Sequence, residues 1–89
     1  MYVIEFTVQA QKDVIALQKH NPKLSKKLAE LLEELREHPR TGTGQVEQLR
    51  YFEKETWSRR LNREHRLVYE IHENEILVLI VSAYGHYSE

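Results

Sequence analysis

The sequence predicts an α+β domain of two layers, in which two helices pack on one face of a mostly antiparallel sheet. Two observations support this fold class. One alternating segment is followed by two segments with apolar residues at helical spacing, and about four segments of strand character then fill the C-terminal half. The predicted order is therefore β-α-α-β-β-β-β. With 89 residues, the chain has room for one domain, residues 1–89.

The N-terminal half is predicted to form one strand and two helices. Residues 2–7 alternate and are rich in aromatic and β-branched side chains, which favours a strand. Thr7 suits the N-cap of a first helix, and Asn21 and Pro22 interrupt that helix. Because proline loses no hydrogen bond in a first turn, Asn21 is predicted to cap a second helix that ends before Pro39. Five leucines give this second helix an apolar stripe that can pack on the sheet.

The C-terminal half is predicted to form the rest of the sheet. Gly42 and Gly44 mark a loop, after which residues 46–52 return to strand character. Two further strands form an antiparallel hairpin around a polar break at residues 62–64. Residues 75–83 are almost continuously apolar, which predicts a final strand buried on both faces in the centre of the sheet.

The composition argues against several classes of protein. There is no cysteine, so disulfides and thiolate metal sites are excluded. The chain has neither a basic leader with an apolar core nor an apolar run of the roughly 20 residues that span a bilayer, so we expect a protein that is not exported and binds no membrane. The net charge is −1, with 13 Lys and Arg against 14 Asp and Glu, so any affinity for nucleic acid must depend on local clustering.

Basic residues do cluster in the predicted hairpin. Four arginines fall within residues 57–69: Arg59, Arg60, Arg63 and Arg66. Because side chains on a strand alternate between faces, Arg60 shares one face with Ser58, and Arg59 points to the other. Guanidinium groups held on a sheet are well suited to phosphate. The hairpin is therefore a candidate phosphate-binding surface if its register places Arg60 and Arg66 on one side.

Two residues outside the hairpin could complete a catalytic site. Glu47 follows the glycine loop at the start of a strand, where a carboxylate is either an ordinary edge residue or a proton acceptor. His86 follows the final strand; a terminal histidine is more often a surface residue, and His65 in the hairpin is the only rival. A carboxylate, a histidine and several arginines are nevertheless the groups needed to cleave RNA without a metal ion. The sequence contains no clustered metal-ligand motif, which fits such chemistry.

The chain carries four motifs that occur together in one known family: GTGQVEQLR, WSRR, EHRLVY and a terminal GHY. In combination they resemble the YoeB/Txe branch of the RelE superfamily of bacterial toxins. The resemblance covers essentially the whole chain, with its specific motifs in the C-terminal half. It implies a RelE-like fold and the toxin of a type II toxin–antitoxin system. It also implies a ribosome-dependent endoribonuclease that cleaves mRNA in the ribosomal A site and uses no cofactor and no metal ion.

The resemblance assigns catalytic roles to four residues of this chain. Glu47 resembles the general base, and Arg66 resembles the arginine that stabilises the phosphate in the transition state. His86 resembles the general acid. Tyr87 resembles a residue that positions the substrate or stacks on it.

Three further arginines are predicted to bind RNA or phosphate: Arg50, Arg59 and Arg60. Arg50 stands where the family commonly has lysine, which keeps the charge but changes the geometry of the donors. Arg59 faces away from Arg60, so it could instead pair with the acidic face of a helix or with an antitoxin.

The family also implies partners and a location. An antitoxin of the YefM/Phd type is expected to cover the arginine face with an acidic and apolar segment. The ribosome, through its A site and rRNA, and mRNA are the other expected partners, and homodimers occur in the family. We therefore expect a protein of the bacterial cytoplasm. The alternative is a non-catalytic module of RelE/ParE fold, either a gyrase inhibitor or a co-repressor that binds an antitoxin; such relatives generally lack the four catalytic residues.

Overall fold

Two helices and a five-stranded sheet form the two layers of the protein. The computed structural model describes residues 1–85. The elements are β1 Val3–Phe6, α1 Val8–His20, α2 Pro22–Leu35, β2 Glu47–Leu49, β3 Thr56–Arg60, β4 Arg66–His72 and β5 Leu77–Ser82, with a 3₁₀ turn at Glu73–Glu75. The strand order is β1-β5-β4-β3-β2, with β1 parallel to β5 and the other neighbours antiparallel. The predicted class and element order are confirmed.

Both helices begin where the sequence predicts. The Thr7 hydroxyl accepts a hydrogen bond from the Ala10 N–H at 3.0 Å, and Asn21 Oδ1 accepts one from the Leu24 N–H at 3.2 Å. These side chains satisfy backbone donors that have no partner within the first turn of a helix. The Asn21 N–H also donates to Leu17 O at 2.8 Å, so one residue ends α1 and caps α2.

Within residues 1–85, no helix is both long and apolar enough to cross a membrane.

The core lies between the helices and one face of the sheet. Leu67, Tyr69 and Ile71 alternate along β4 and are 0%, 0% and 4% exposed, as the sequence pattern predicts. The apolar stripe of α2 packs in the same cluster through Leu24, Leu28, Leu31 and Leu35. Burial of one such side chain stabilises a fold by about 1.5–3 kcal/mol, so this stripe is a main attachment of α2 to the sheet.

Two predicted strands of the C-terminal half are shorter than the sequence pattern indicates. The pattern predicts a strand over residues 46–52, but β2 ends at Leu49. Tyr51 has a left-handed backbone, with φ of 69°, which cannot continue a strand. The last strand begins at Leu77, because Ile76 also has a left-handed backbone, with φ of 50°.

The prediction that the last strand is buried on both faces is wrong. Val78 and Ile80 are 0% exposed, whereas Leu77 and Leu79 are only partly buried. The reason is that the helices cover one face of the sheet and leave the other open. The apolar run therefore reflects a strand beside the core and not a strand between two layers.

Candidate active site

The open face of the sheet carries three of the side chains predicted to act on RNA. The register pairs Glu47 with Ser58 across β2 and β3, and Arg60 with Arg66 across β3 and β4. Directly paired residues point to the same side of a sheet, and residues two apart on one strand share that side. All four side chains therefore lie opposite the core residues of β4. The prediction that Arg60 and Arg66 share one side is confirmed.

Arg66 is the centre of this group. Its Nη2 atom lies 3.5 Å from Glu47 Oε2, and its Nε and Nη2 donate to Ser58 Oγ at 3.3 and 2.9 Å. Ser58 is fully buried, whereas the side chains of Arg66 and Glu47 are 18% and 61% exposed. A buried hydroxyl thus orients a guanidinium that remains accessible beside an exposed carboxylate. Sequence reasoning missed this role of Ser58, although strand alternation places it on the same face as Arg60.

The last described residue, Gly85, lies against the backbone of Arg66. The backbone N–H of Arg66 donates to the carbonyl of Gly85 at 3.2 Å. His86 and Tyr87 follow Gly85 directly in the sequence and lie outside the described residues. Their roles as general acid and substrate-positioning residue therefore stay predictions.

Two further cations are exposed on or directly after the strands that carry this group. Arg60 is exposed and lies directly across from Arg66, and Arg50 is exposed immediately after β2. Both remain candidates for binding phosphate. Within the part of the chain that the structure describes, no group of three or more His, Asp or Glu side chains could hold a metal ion.

Arg59 does not belong to the accessible surface. Its side chain is 0% exposed and lies on the helix side of the sheet. Its five N–H donors make five hydrogen bonds, to the Glu34 carboxylate, to the Tyr69 hydroxyl and to the carbonyls of His38, Thr41 and Thr43. The prediction that Arg59 binds RNA phosphate is therefore wrong, because the protein itself occupies every donor. The other partners considered for Arg59 were the acidic face of a helix and an antitoxin, and the contact with Glu34 of α2 confirms the first of these.

Arg59 instead holds the loop that leads to the open face. Nη2 donates to His38 O at 2.5 Å and to Thr41 O at 2.7 Å, and Nη1 donates to Thr43 O at 3.3 Å. These carbonyls come from the segment between α2 and β2, and β2 begins with Glu47. The buried guanidinium therefore fixes the chain that delivers the proposed base.

Two glycines allow this loop to pass close to its neighbours. Gly42 has φ of 119°, and a Cβ added there would lie 1.9 Å from Glu34 Oε1. Gly44 has φ of 97°, and its carbonyl accepts a hydrogen bond from the Arg60 N–H at 2.6 Å. Both backbone conformations strongly favour glycine. The glycines therefore serve the geometry of the loop between α2 and β2.

Glu34 is the acidic partner of the buried arginine, and neutralising it is expected to weaken the fold. The Thr43 backbone N–H, the Thr43 hydroxyl and Arg59 lower the pKa of Glu34, although partial burial opposes them. A glutamate with a lowered folded-state pKa stabilises the fold above its unfolded-state pKa of about 4.3, and this contribution is lost as the pH falls through the folded-state value. Glu34→Gln is therefore expected to lower the free energy of unfolding at pH 7 by about 2 kcal/mol.

Urea unfolding at pH 7 and at pH 3 measures this effect. Wild type should lose more stability on acidification than Glu34→Gln, because the variant no longer has the carboxylate that must be protonated. Glu33→Gln is a matched control, since the Glu33 side chain is 75% exposed and its only close partner in residues 1–85 is the neighbouring Arg36. Equal stability of Glu34→Gln and the control at pH 7 would show that the Glu34 carboxylate does not stabilise the fold.

Comparison with known proteins identifies the family of this fold and site. A model of the YoeB-like toxin of bacterial type II toxin–antitoxin systems matches residues 6–87. The chain is similar to Toxin YoeB of Synechocystis sp., with 37% identity over 84 residues that cover 94% of this chain and 95% of that protein. It also resembles the solved YoeB/ParE toxin from Agrobacterium tumefaciens, with a TM-score of 0.89 and 25% identity over 96% of this chain and 99% of that one.

The chain is also similar to YoeB from Staphylococcus aureus, as seen in two solved structures of that protein. The YoeB dimer has a TM-score of 0.83 and 37% identity, covering 97% of this chain and 98% of that one. The YoeB–YefM complex has a TM-score of 0.82 and 35% identity, covering 98% and 99%. Fold and sequence together define the toxin of a bacterial type II toxin–antitoxin system. Within that class, the chain belongs to the YoeB toxin family, which confirms the resemblance found in the motifs.

Proposed function

We propose that the protein is an endoribonuclease that cleaves mRNA in the ribosomal A site and so inhibits translation in the bacterial cytoplasm. The observation that carries this proposal is the pair formed by Arg66 and Glu47, a guanidinium and a carboxylate 3.5 Å apart on an accessible face. The exposed Arg60 lies directly across from Arg66. Membership of the YoeB family supports the same activity, because mRNA cleavage is typical of RelE-superfamily toxins.

In the proposed reaction, the 2′-hydroxyl of the RNA displaces the 5′-oxygen of the next nucleotide. Glu47 takes the proton from the 2′-hydroxyl, the 2′-oxygen bonds to phosphorus, and the P–O5′ bond breaks. Arg66 stabilises the negative charge that develops on the phosphate oxygens, and His86 gives a proton to the departing 5′-oxygen. The products are a 2′,3′-cyclic phosphate and a 5′-hydroxyl, so the reaction consumes no co-reactant. Tyr87 would position the substrate.

The contacts of Arg66 suit an arginine that must accept a phosphate. The 3.5 Å separation of Arg66 Nη2 from Glu47 Oε2 is longer than a good N–H···O hydrogen bond, so the carboxylate does not hold the guanidinium tightly. Ser58 holds it from the buried side with a 2.9 Å contact to Nη2. The arginine is therefore oriented in advance while its outer side is open to a phosphate. Preorganised donors of this kind stabilise a transition state without a cost of reorganisation.

The remaining arginines are proposed to bind the RNA around this centre. Arg60 and Arg50 are exposed and would contact backbone phosphates of mRNA or rRNA. Their attraction of RNA must be a local effect, because the chain as a whole has a net charge of −1. We expect binding to weaken with rising salt by an amount that reflects only these few contacts.

An antitoxin is the proposed cellular partner. The YoeB relative from S. aureus forms a complex with YefM, and we propose that a YefM/Phd-type antitoxin binds this chain. An acidic segment of such a partner would compete with RNA for the same guanidinium groups on the open face. The S. aureus relative also forms a dimer, which makes a homodimer the proposed second assembly of the free toxin.

Primer extension on mRNA bound to purified ribosomes tests the proposed function. Wild-type protein should produce cuts at the A-site codon only when ribosomes are present. A gyrase supercoiling assay run in parallel tests the non-catalytic alternative. Inhibition of gyrase without mRNA cleavage would replace the proposal by that alternative.

A further inference from the structure

One histidine, His65, makes two of the three contacts that hold the last described residues of the chain. The Gly85 N–H donates to His65 Nδ1 at 2.7 Å. The His65 ring also stacks on Tyr84, with ring centroids 4.4 Å apart and planes inclined by 14°. A third contact, from the Arg66 N–H to Gly85 O, completes the attachment. Two consecutive residues of the tail are thus fixed beside the proposed phosphate-binding arginine.

His65 is itself held firmly in the hairpin. Its N–H donates to Asn62 Oδ1 at 2.7 Å, and its carbonyl accepts the Leu61 N–H at 2.9 Å. Its side chain is only 14% exposed. The imidazole therefore occupies a largely buried position against Tyr84 and Gly85.

The contact with Gly85 determines where the His65 ring carries its hydrogen. Nδ1 accepts a hydrogen bond and therefore carries no hydrogen itself, so the hydrogen of the neutral ring is on Nε2. Nε2 lies 3.9 Å from Glu64 Oε2, which is too far for a hydrogen bond. Because Nδ1 is occupied by the tail, His65 is better suited to hold the chain than to exchange protons with a substrate. His65, the alternative to His86 as general acid, is therefore assigned a different role in the site.

We propose that His65 is a positioning residue for mRNA cleavage, which acts by fixing Gly85 so that His86 can protonate the departing 5′-oxygen. This inference rests on the proposed function. His86 follows Gly85 directly in the sequence, and consecutive Cα atoms are about 3.8 Å apart, so the position of Gly85 beside Arg66 sets the point from which the chain to the proposed acid continues. Without the contacts of His65 with Gly85 and Tyr84, we expect His86 to protonate the leaving group less often.

Two substitutions separate the hydrogen bond from the ring contact. His65→Phe keeps an aromatic ring against Tyr84 but removes the acceptor for the Gly85 N–H. His65→Asn loses the ring but can place an amide oxygen near the position of Nδ1. We expect His65→Phe to cleave about 10- to 100-fold more slowly in a single turnover, and His65→Asn to recover most of that loss. Binding of the ribosome–mRNA complex should be unchanged in both.

The chemistry of the leaving group tests whether His65 acts through the acid. A ribosome-bound mRNA is prepared with sulfur in place of the bridging 5′-oxygen at the cleavage position mapped by primer extension. A thiolate leaves without protonation, so the defect of His65→Phe should nearly disappear on this substrate. Glu47→Gln should stay slow on both substrates, since the sulfur does not replace the base.

Gly85→Ala provides an independent variant if His65→Phe does not fold. Gly85 has φ of 108°, and a Cβ added there meets no atom of residues 1–85 within 4 Å, so alanine strains the tail without a clash in the core. It should show the same loss on the oxygen substrate and the same recovery on the sulfur substrate. Amide exchange at Gly85 should also become faster in His65→Phe and stay slow in His65→Asn.

The outcomes distinguish this inference from the proposed function. If wild type cuts neither substrate, the proposed function itself fails. If wild type cuts but His65→Phe is equally fast, or is equally slow on the oxygen and the sulfur substrates, His65 does not position the acid. A defect restricted to the oxygen substrate supports the inference.

Discussion

Replacing Arg66 with alanine is expected to slow mRNA cleavage by about 10³-fold and to abolish growth arrest when the toxin is expressed. The guanidinium is the charged donor nearest to the proposed base, at 3.5 Å from Glu47, and no other cation on the open face within residues 1–85 is oriented by a buried hydroxyl. Arg66→Lys should recover only part of the activity, because an ammonium cannot present two parallel donors to a phosphate.

The protein should remain folded in the Arg66→Ala variant. The main structural loss is the contact with Ser58, whose buried hydroxyl is left without this donor, at a cost of about 1–2 kcal/mol. Arg63→Ala is the matched control, since it removes one exposed arginine from the turn of the same hairpin. Circular dichroism and single-turnover cleavage measure the two properties separately. A folded Arg66→Ala protein that still cuts mRNA at the wild-type rate would remove Arg66 from the mechanism.

Replacing the neighbouring Arg59 is expected to act on the fold and not on the chemistry. Arg59→Met removes five hydrogen bonds and leaves the Glu34 carboxylate and three carbonyls without their buried partner. Breaking a buried ion pair by removing one partner typically costs about 3–5 kcal/mol. Domains of this size are stable by only about 5–10 kcal/mol, so the variant should be partly or largely unfolded at 37 °C.

Arg60→Met is the control for this prediction, because it makes the same chemical change one residue later on the exposed face of β3. Its free energy of unfolding should stay within about 0.5 kcal/mol of wild type, while its affinity for RNA falls. Thermal unfolding of both variants gives the comparison. Equal stability of the two would show that the buried guanidinium contributes nothing to the fold.

The contrast between these two arginines shows what sequence reasoning can supply. Strand alternation assigns Arg59 and Arg60 to opposite faces without any structure, and it also places Leu67 and Tyr69 in the core. It does not reveal that Arg59 is buried, since arginine is seldom fully buried unless it is paired. The carbonyls that pair with Arg59 come from an irregular loop, which includes Thr41 and Thr43 and whose path no periodicity predicts.

The errors in the predicted strand ends also arise from backbone geometry that the sequence pattern does not indicate. The sequence of residues 46–52 has strand character, yet β2 stops at Leu49 because Tyr51 adopts a left-handed backbone that its residue type does not indicate. The role of Ser58 likewise depends on a register with Glu47 that only the assembled sheet defines. Local signals such as the caps at Thr7 and Asn21 depend on neighbouring residues alone and were predicted correctly.

The chemical nature of the cut ends shows whether the 2′-hydroxyl of the RNA is the nucleophile. We predict that mRNA cleaved on the ribosome carries a 2′,3′-cyclic phosphate on the upstream fragment and a 5′-hydroxyl on the downstream fragment, because Glu47 activates the 2′-hydroxyl of the RNA itself. A single 2′-deoxynucleotide at the cleavage position should therefore block the reaction. A 5′-phosphate on the downstream fragment, or unchanged cleavage of the deoxy-substituted mRNA, would contradict the mechanism.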